Sequence, residues 1–203
     1  MRLRATVCPS LAQMCGGFAP IVTVVGRLEH WKGQHVFIEA IPRVREAIPE
    51  ARFLIVGGPA KNKPKYAPDL KARCEALDIS DCVHFTGIRP DIPVVLAASD
   101  VLVLPTVTPE PFGLTVLEAM AASRPVVATE AGGPLDSVLD GTTGILVTPD
   151  DKDALAEGIL RILRDADAGV EMGRQGLERV RAKFTIDRVA EEMSILFQEI
   201  KDE

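Results

Sequence analysis

The feature that most constrains the fold of this chain is a regular alternation of short apolar runs with longer amphipathic stretches. Six of these runs are rich in β-branched residues and continuously apolar, which is typical of parallel strands covered on both faces. We predict strands at Ile21–Val25, Phe53–Val56, Val83–Phe85, Val101–Leu104, Val126–Ala128 and Ile145–Val147. Because helical stretches separate them, the pattern predicts right-handed crossovers and one parallel sheet.

Apolar residues at helical spacing predict the elements between and after the strands. The predicted helices are Gln34–Ile48, Ala67–Leu77, Ile92–Ala98, Gly113–Ala122, Leu135–Leu139, Asp151–Asp165, Gly169–Lys183 and Thr185–Ile200. The expected α/β fold is a single Rossmann-like domain, with a roughly six-stranded parallel sheet, helices on both faces and a C-terminal helical tail. We divide the chain into an irregular leader (1–19), the Rossmann-like domain (20–184) and the C-terminal helix (185–203).

Composition excludes several classes of protein. The 203 residues carry a formal charge of -6, which argues against nucleic-acid binding, since phosphate neutralisation needs clustered Lys and Arg. No apolar run approaches the roughly 18 to 20 residues that span a bilayer, and the segment Met1–Ala19 lacks the continuous apolar block of a signal peptide. We therefore expect no transmembrane segment and a cytoplasmic location.

The cysteines do not indicate a metal site. Cys8, Cys15, Cys74 and Cys82 include no Cys-x-x-Cys pair, so zinc binding is not expected. Cys74 shares an apolar helix face with its neighbours and Cys82 opens a strand, so we interpret both as reduced core thiols.

The loop after the first predicted strand contains two cationic side chains. Gly26-Arg27-Leu28-Glu29-His30-Trp31-Lys32-Gly33 joins that strand to a helix, and such junctions let a backbone approach an anion. Arg suits bidentate phosphate contacts and Lys supplies a point charge. By itself the loop fits either a phosphate site or a solvated surface, and His30 lies within it, whereas His35 and His84 are expected to be structural or exposed.

A pair of carboxylates marks a second loop. Glu110 and Glu118 stand eight residues apart around a predicted helix start, where Phe112, Gly113 and Leu114 offer backbone N–H groups. In the alternative interpretation Glu110 belongs to a polar loop and Glu118 to an exposed helix face. The segment Glu130–Pro134 follows the next strand, and its glycines either form a turn or allow close approach to a ligand. Because all three loops follow strands of one parallel sheet, we expect them to converge.

Taken in order, these segments resemble a known family. The matching residues are Gly26-Arg27-Leu28 with Lys32-Gly33, Glu110-Pro-Phe-Gly with Glu118-Ala-Met-Ala, Pro125–Thr129, and Gly132-Gly133. They are similar to the C-terminal, nucleotide-sugar-binding domain of retaining glycosyltransferases of group 1, or family four, which is half of a GT-B fold. The resemblance covers about Ile21 to Phe184.

This resemblance implies a role for each matching residue. Arg27 and Lys32 would bind the donor diphosphate, Glu110 would contact hydroxyls of the transferred sugar, and Glu118 would bind the ribose. Of these, Arg27, Lys32 and Glu110 would be catalytic. The full donor-binding set it implies is Gly26, Arg27, Lys32, Phe85, Gly87, Glu110, Phe112, Gly113, Leu114, Thr115 and Glu118, with the base near Phe85–Ile88. Transfer would be metal-independent and need no cofactor, because cations neutralise the departing diphosphate.

The resemblance also identifies what the chain does not supply. Enzymes of this type bind the acceptor with an N-terminal Rossmann-like domain, and about 20 residues before the first strand are too few to form one. We expect the partner to be such an acceptor domain, or a second copy bound through the final helix, and the full enzyme to be peripheral to a membrane. Alternatives are a stand-alone nucleotide-sugar-binding module that works with a separate chain, a sugar-nucleotide epimerase fragment, and a phosphorylase-like enzyme. The chain alone is expected to transfer little sugar or none.

Overall fold

The computed structural model describes residues 19–60 and 65–202, and the predicted alternation of strands and helices is confirmed. The strands are β1 (Ile21–Val25), β2 (Arg52–Val56), β3 (Val83–Gly87), β4 (Val101–Leu104), β5 (Val126–Thr129) and β6 (Ile145–Val147). The helices are α1 (Gln34–Ala47), α2 (Tyr66–Ala76), α3 (Ile92–Ala98), α4 (Leu114–Ala121), α5 (Pro134–Ser137), α6 (Lys152–Arg164), α7 (Ala166–Lys183) and α8 (Ile186–Asp202).

All six strands form one parallel sheet in the order β3-β2-β1-β4-β5-β6. The order reverses between β1 and β4, whose pairing aligns Val22 with Val101 and Val24 with Val103. In open α/β sheets, ligands bind outside the carboxyl ends of the strands at this reversal. The loops that follow β1 and β4 therefore occupy the expected position of a binding site.

Helices cover both faces of the sheet. α1 packs against α2 and α6, and α4 packs against α3 and α7. Strand residues such as Phe53, Leu54 and Leu102 are almost completely buried between these layers, which is why the strands read as continuous apolar runs.

Some element boundaries differ from the predicted ones. The largest shift is in α7, which begins at Ala166 rather than Gly169 because the Asp165 carboxylate accepts a hydrogen bond from the Ala168 backbone N–H at 3.0 Å. Asp151 caps α6 in the same way through Asp153 and Ala154. The Asp-x-Asp tripeptides at 151–153 and 165–167 thus begin helices.

Cys74 and Cys82 are buried free thiols, as predicted, and burial raises the pKa of the Cys74 thiol to about 11. Cys8, Cys15, nearly all of the predicted leader and positions 61–64 of the loop between β2 and α2 lie outside the described residues. Among the helices that the structure describes, none is long and apolar enough to cross a membrane.

Candidate functional site

An ion pair joins the loops after β1 and β4 at the point where the strand order reverses. Lys32 Nζ donates a hydrogen bond to Glu110 Oε2 at 2.7 Å, and the two side chains are only 18% and 10% exposed. A pair of charges this well buried contributes little net stability, because desolvation offsets the attraction. Charged groups of this kind cluster at functional sites. The pair is therefore the starting point for the site.

A tight turn brings Lys32 to this position. His30–Lys32 forms one turn of 3-10 helix, and Gly33 ends it with φ +71° before α1 begins. A Cβ added at Gly33 would lie 1.7 Å from the carbonyl oxygen of Pro105. Only glycine permits both the left-handed backbone and this contact, so the sequence Lys32-Gly33 fixes the lysine against the loop after β4.

Arg27 lies on the same loop but is far more exposed. Its side chain is 69% exposed, and Nη2 lies 3.4 Å from Oε2 of Glu29. Its backbone carbonyl accepts a hydrogen bond from Gln34 Nε2 at 2.8 Å. Gln34 is completely buried. The loop backbone is thus held by a hydrogen bond from a buried side chain, while the Arg27 guanidinium remains accessible at the surface.

The Glu110 backbone is fixed by the glycine segment that follows β5. Glu110 forms an isolated bridge with Gly132, and its carbonyl accepts a hydrogen bond from Gly133 N–H at 2.7 Å. Gly132 has φ +75°, and a Cβ there would lie 2.1 Å from the Glu110 carbonyl oxygen. The structure shows a role that was not considered from the sequence, a close approach between two chain segments. The Gly132-Gly133 pair therefore positions Glu110.

The N-terminus of α4 lies next to Glu110. Gly113 adopts φ +81° as the N-cap residue, and no side chain caps the helix. The first amides, those of Leu114 and Thr115, have no intrahelical acceptor by position and carry the positive end of the helix dipole. Phe112 and Leu114 are 52% and 63% exposed. Two apolar side chains thus flank a set of donors that can receive an anion.

Glu118 lies one turn further into α4. In the described part of the chain its carboxylate has neither a hydrogen bond nor an ion pair, and desolvation raises the pKa of the carboxyl above its usual range. The residue is exposed, as in the alternative interpretation, and it does not line the cavity described below. An exposed carboxylate without a protein partner can accept hydrogen bonds from ligand hydroxyls.

A cavity of about 540 Å³ opens beside the loop after β1. Its walls come from the carboxyl ends of β1 and β2 and from the segment that follows β3. The lining residues are Val25, Gly26, Arg27, Val56, Gly57, Gly58, Pro59, Ala60, Ile88, Arg89 and Ile92.

Of the eleven candidate residues, Gly26 and Arg27 line the cavity and the other nine do not. Phe85 and Gly87 are the two of these nine that were expected near the base. Phe85 is half-buried and packs against the core in β3, where Lys71 Nζ lies 5.9 Å from its ring centroid. Gly87 is exposed with φ +70°, and its carbonyl accepts a hydrogen bond from Gly57 N–H at 2.9 Å. Ile88 is the residue of the range Phe85–Ile88 that reaches the cavity.

Sequence reasoning missed several residues of the site. Gly57 and Gly58 line the cavity and were not among the predicted site residues, although two glycines directly after a strand are a signal of close backbone approach. Glu29 and Trp31 gave no motif signal, yet Trp31 Nε1 donates to Glu29 Oε2 at 2.8 Å. His30 stacks on His35 with ring centroids 4.3 Å apart, which ties the loop to α1.

The family comparison covers the part of the chain that contains this site. A family model described as "Glycosyl transferases group 1" matches residues 19–165. This range contains β1 to β6, every loop of the site and all of α6.

Relatives and solved structures share the same region. A trehalose synthase of Thermococcus litoralis is 36% identical over 174 residues, covering 83% of this chain and 42% of the relative. A D-inositol 3-phosphate glycosyltransferase of Corynebacterium urealyticum is 33% identical over 186 residues, covering 90% and 43%. A crystal structure of Anabaena HepE in complex with UDP-glucose is 28% identical with a TM-score of 0.88, covering 96% and 53%. The chain thus spans about half the length of the proteins it matches.

Proposed function

The chain belongs to the group 1 glycosyl transferases, as a domain matching the C-terminal half of their GT-B fold, and we propose that it binds the nucleoside diphosphate sugar of a retaining hexosyltransferase. The observation that carries this proposal is the Lys32–Glu110 pair, which joins a cation to a carboxylate beside the free amides of α4. A diphosphate is bound by a cation such as Lys32 and by backbone amides. A sugar is bound by groups that accept hydrogen bonds from its hydroxyls, such as the Glu110 carboxylate.

In this proposal each group acts on a different part of the donor. Lys32, Arg27 and the amides of Leu114 and Thr115 contact the diphosphate, Glu110 binds the transferred sugar, and Glu118 binds the ribose. The uncompensated carboxylate of Glu118 supports the last assignment, because ribose hydroxyls are donors. HepE, crystallised with UDP-glucose, has a similar structure over 96% of this chain.

The cavity beside Gly26 is our proposed site for the nucleobase. It opens next to Arg27, and its apolar residues Val25, Ile88 and Ile92 offer a surface on which a flat ring can stack. Backbone groups of Gly57 and Gly58 border the same space. A base in this cavity leaves the diphosphate to extend along the loop toward Lys32.

The proposed reaction breaks the bond between the sugar C1 and the diphosphate oxygen and forms a bond from C1 to an acceptor hydroxyl on the same face. The acceptor proton moves to the departing phosphate oxygen. Lys32, Arg27 and the dipole of α4 stabilise the charge that grows on the diphosphate, and each well-placed donor at such a site lowers the barrier by roughly 3 to 4 kcal/mol. In this route the cations neutralise the leaving group, so we propose metal-independent transfer.

The acceptor site is proposed to come from another domain. The chain spans 42% of the trehalose synthase it matches, and α8 carries a row of exposed apolar residues. Those on α8 that are more than 45% exposed are Ile186, Val189, Ile195, Leu196, Phe197 and Ile200. An acceptor-binding half of the enzyme, or a second copy of this chain, would cover this row.

A calorimetric titration of the purified chain with UDP, GDP and ADP and with their nucleosides tests the donor assignment. We expect one diphosphate to bind more tightly than its nucleoside, and Arg27→Ala to remove most of that difference without changing nucleoside binding. Equal binding of nucleoside and diphosphate in the wild-type chain would contradict the proposal.

The ribose assignment is tested with the same titrations. We expect Glu118→Gln to reduce the preference for a ribonucleotide over its deoxyribose counterpart by about tenfold, the equivalent of one lost strong hydrogen bond. Glu178→Gln, on the exposed face of α7, is the control and is expected to leave the preference unchanged. Unaltered discrimination in Glu118→Gln would remove this residue from the ribose site.

A further inference from the structure

Five side chains form a continuous chain of contacts across the candidate site. Glu29 Oε2 lies 3.4 Å from Arg27 Nη2 and accepts a hydrogen bond from Trp31 Nε1 at 2.8 Å. Lys32 Nζ lies 4.0 Å from the Trp31 ring centroid and donates to Glu110 Oε2 at 2.7 Å. Both cations of the site are thus connected through one carboxylate and one indole.

The formal charges of this group cancel. Arg27 and Lys32 contribute two positive charges, and Glu29 and Glu110 contribute two negative ones. A site with no net charge does not attract a diphosphate through its overall field. Attraction then depends on donors that are already oriented toward the anion, which is the condition for strong electrostatic recognition in a partly desolvated site.

Glu29 is placed to orient rather than to neutralise. Its side chain is only 14% exposed, whereas that of Arg27 is 69% exposed. The Glu29 backbone carbonyl also accepts a hydrogen bond from Lys32 N–H at 3.0 Å and so closes the 3-10 turn. A nearly buried carboxylate therefore tethers a long, exposed guanidinium that has many rotamers in isolation.

Trp31 supports the second cation. Its backbone carbonyl accepts a hydrogen bond from Val107 N–H at 2.9 Å, which fixes the residue to the loop after β4. Its indole N–H is bonded to Glu29, and its ring lies against the Lys32 ammonium. A cation over an aromatic face is attracted by the ring quadrupole, so the indole restricts the positions that the Lys32 ammonium can take.

We propose that Glu29 and Trp31 are positioning residues that set the two cations, Arg27 and Lys32, at the spacing a nucleoside diphosphate requires. This inference rests on the proposed function, because it assigns no contact of its own with the donor. It predicts that both residues affect recognition of the diphosphate and leave recognition of the nucleoside unchanged.

The substitution Glu29→Gln separates positioning from simple electrostatics. The amide oxygen of Gln can still accept the indole N–H, but the tether on Arg27 is lost and the site gains one positive charge. Electrostatics alone predicts tighter binding of a diphosphate. Positioning predicts that the dissociation constant for the diphosphate rises about tenfold, as for the loss of one charge-assisted contact.

Glu130→Gln is the matched control for Glu29→Gln. Glu130 follows β5 at the same edge of the sheet, and its carboxylate accepts a hydrogen bond from Thr148 Oγ1 at 3.1 Å. Its substitution adds the same charge without touching Arg27, Trp31 or Lys32. We expect diphosphate affinity to be unchanged or slightly increased.

Two substitutions of Trp31 separate its ring from its N–H group. Trp31→Phe keeps an aromatic face under Lys32 and loses the donor to Glu29, whereas Trp31→Leu loses both. The expected order of diphosphate affinity is wild type, then Trp31→Phe, then Trp31→Leu, with the nucleoside bound equally by all three. Thermal denaturation of each variant shows whether the substitution destabilises the fold. A merely structural role of Trp31 would lower the thermal stability without changing the ratio of diphosphate to nucleoside affinity.

Trp31 is the single tryptophan of the chain, so its fluorescence reports directly on the site. Titration with UDP, GDP and ADP is expected to change the emission as Lys32 moves relative to the ring, and the matching nucleosides are expected to change it much less. Glu29→Gln is expected to shift the emission of the unliganded chain as well, because the indole N–H then has a neutral acceptor.

The outcomes distinguish this inference from the proposed function. If the wild-type chain binds no diphosphate more tightly than its nucleoside, both are overturned. In the other case, the wild-type chain binds a diphosphate more tightly than its nucleoside, and this difference in affinity is abolished in Arg27→Ala. If Glu29→Gln and Trp31→Leu then preserve or increase the difference, the proposed function stands and the positioning role is overturned. Loss of the difference in Glu29→Gln, with Glu130→Gln unaffected, supports the positioning role.

Discussion

Lys32 and Glu110 lie far apart in the chain and meet where the strand order reverses between β1 and β4. Their spacing of 2.7 Å depends on two glycines, Gly33 and Gly132, which allow the neighbouring backbones to approach closely. Without a ligand, the cation and the carboxylate of the proposed site satisfy each other. A donor that binds here must therefore replace this contact with its own phosphate and hydroxyl groups.

A second residue-scale feature is the pKa of His35. Burial lowers this pKa most strongly, and the nearby charges of His30 and Arg73 lower it further, against Glu39 and Asp150, which raise it. Its Nδ1 lies 3.0 Å from the Tyr66 hydroxyl. As pH falls, the His35 imidazole is protonated in the unfolded chain before it is protonated in the folded chain. The free energy of unfolding therefore decreases as pH falls through about 6.5 and below.

We expect the free energy of unfolding to decrease from pH 7.5 to pH 6.0, by at most about 1.4 kcal/mol per pH unit for each proton. His35→Asn keeps a polar group near Tyr66 and is expected to flatten this dependence in part, since His84 has a lowered pKa too. Urea denaturation at both pH values measures the effect. The same slope in both proteins would contradict this explanation.

At the scale of the elements, the sequence predicted most of the fold. The strands were readable because residues such as Val101 to Leu104 are all buried, and the helices because their apolar residues share one face. Glu110 and Glu118 were recognisable as site candidates from their spacing around a helix start. Their roles remain proposals.

Other parts of the site depend on contacts that no local pattern encodes. The ion pair joins residues that are 78 positions apart, and the backbone contact between Gly132 and Glu110 appears only when β4 and β5 lie side by side. Phe85 was named as a site residue only through the family resemblance, and its half-buried side chain packs against the core.

The contact between the loops after β4 and β5 predicts a specific difference between two glycines. Gly132 and Gly141 have φ of +75° and +70°, but an added Cβ meets the Glu110 carbonyl oxygen at 2.1 Å in the first and only Arg161 Nη2 at 3.9 Å in the second. Gly141→Ala should lower the free energy of unfolding by the backbone strain alone, about 1–2 kcal/mol. Gly132→Ala should cost about 3 kcal/mol or more, since backbone must also move.

Chemical denaturation of the two variants measures this difference, and diphosphate titration adds a second readout. Gly132→Ala is expected to weaken binding because it displaces Glu110, whereas Gly141→Ala is expected to bind as the wild type does. Equal stability and equal binding of the two variants would mean that the close approach is not important for the site.

Helix α8 is the element with the weakest connection to the rest of the domain. Every side chain that the structure describes between Ile186 and Lys201 is exposed. Removal of residues 185–203 is therefore expected to change the free energy of unfolding of the remaining domain by no more than about 0.5 kcal/mol. It is also expected to reduce self-association, because exposed apolar rows of this kind promote association.

Sedimentation of the intact and shortened chains, with urea denaturation of both, tests these expectations. Substitution of Leu196 and Phe197 by Gln in the intact chain is the control that retains the helix and removes part of its apolar surface. A shortened chain that is several kcal/mol less stable would show that α8 stabilises the sheet domain.

For the molecule as a whole, the chain matches the C-terminal half of GT-B glycosyltransferases. The chain covers 42% and 43% of two of the glycosyltransferase relatives it matches, and the loops that form its candidate site all lie at one edge of the sheet. We propose that an acceptor domain lies over this edge of the sheet. Mixing the chain with a separately expressed acceptor-type half would test whether transfer can be restored between two chains.

The most direct test of the central claim is a crystal structure of this chain with the nucleoside diphosphate that the titrations identify. We predict the base in the cavity beside Gly26, the ribose hydroxyls at Glu118, and the diphosphate between Lys32 and the first amides of α4. We also predict that Lys32 Nζ has moved from Glu110 toward a phosphate oxygen. A diphosphate bound elsewhere, with the Lys32–Glu110 pair unchanged, would contradict it.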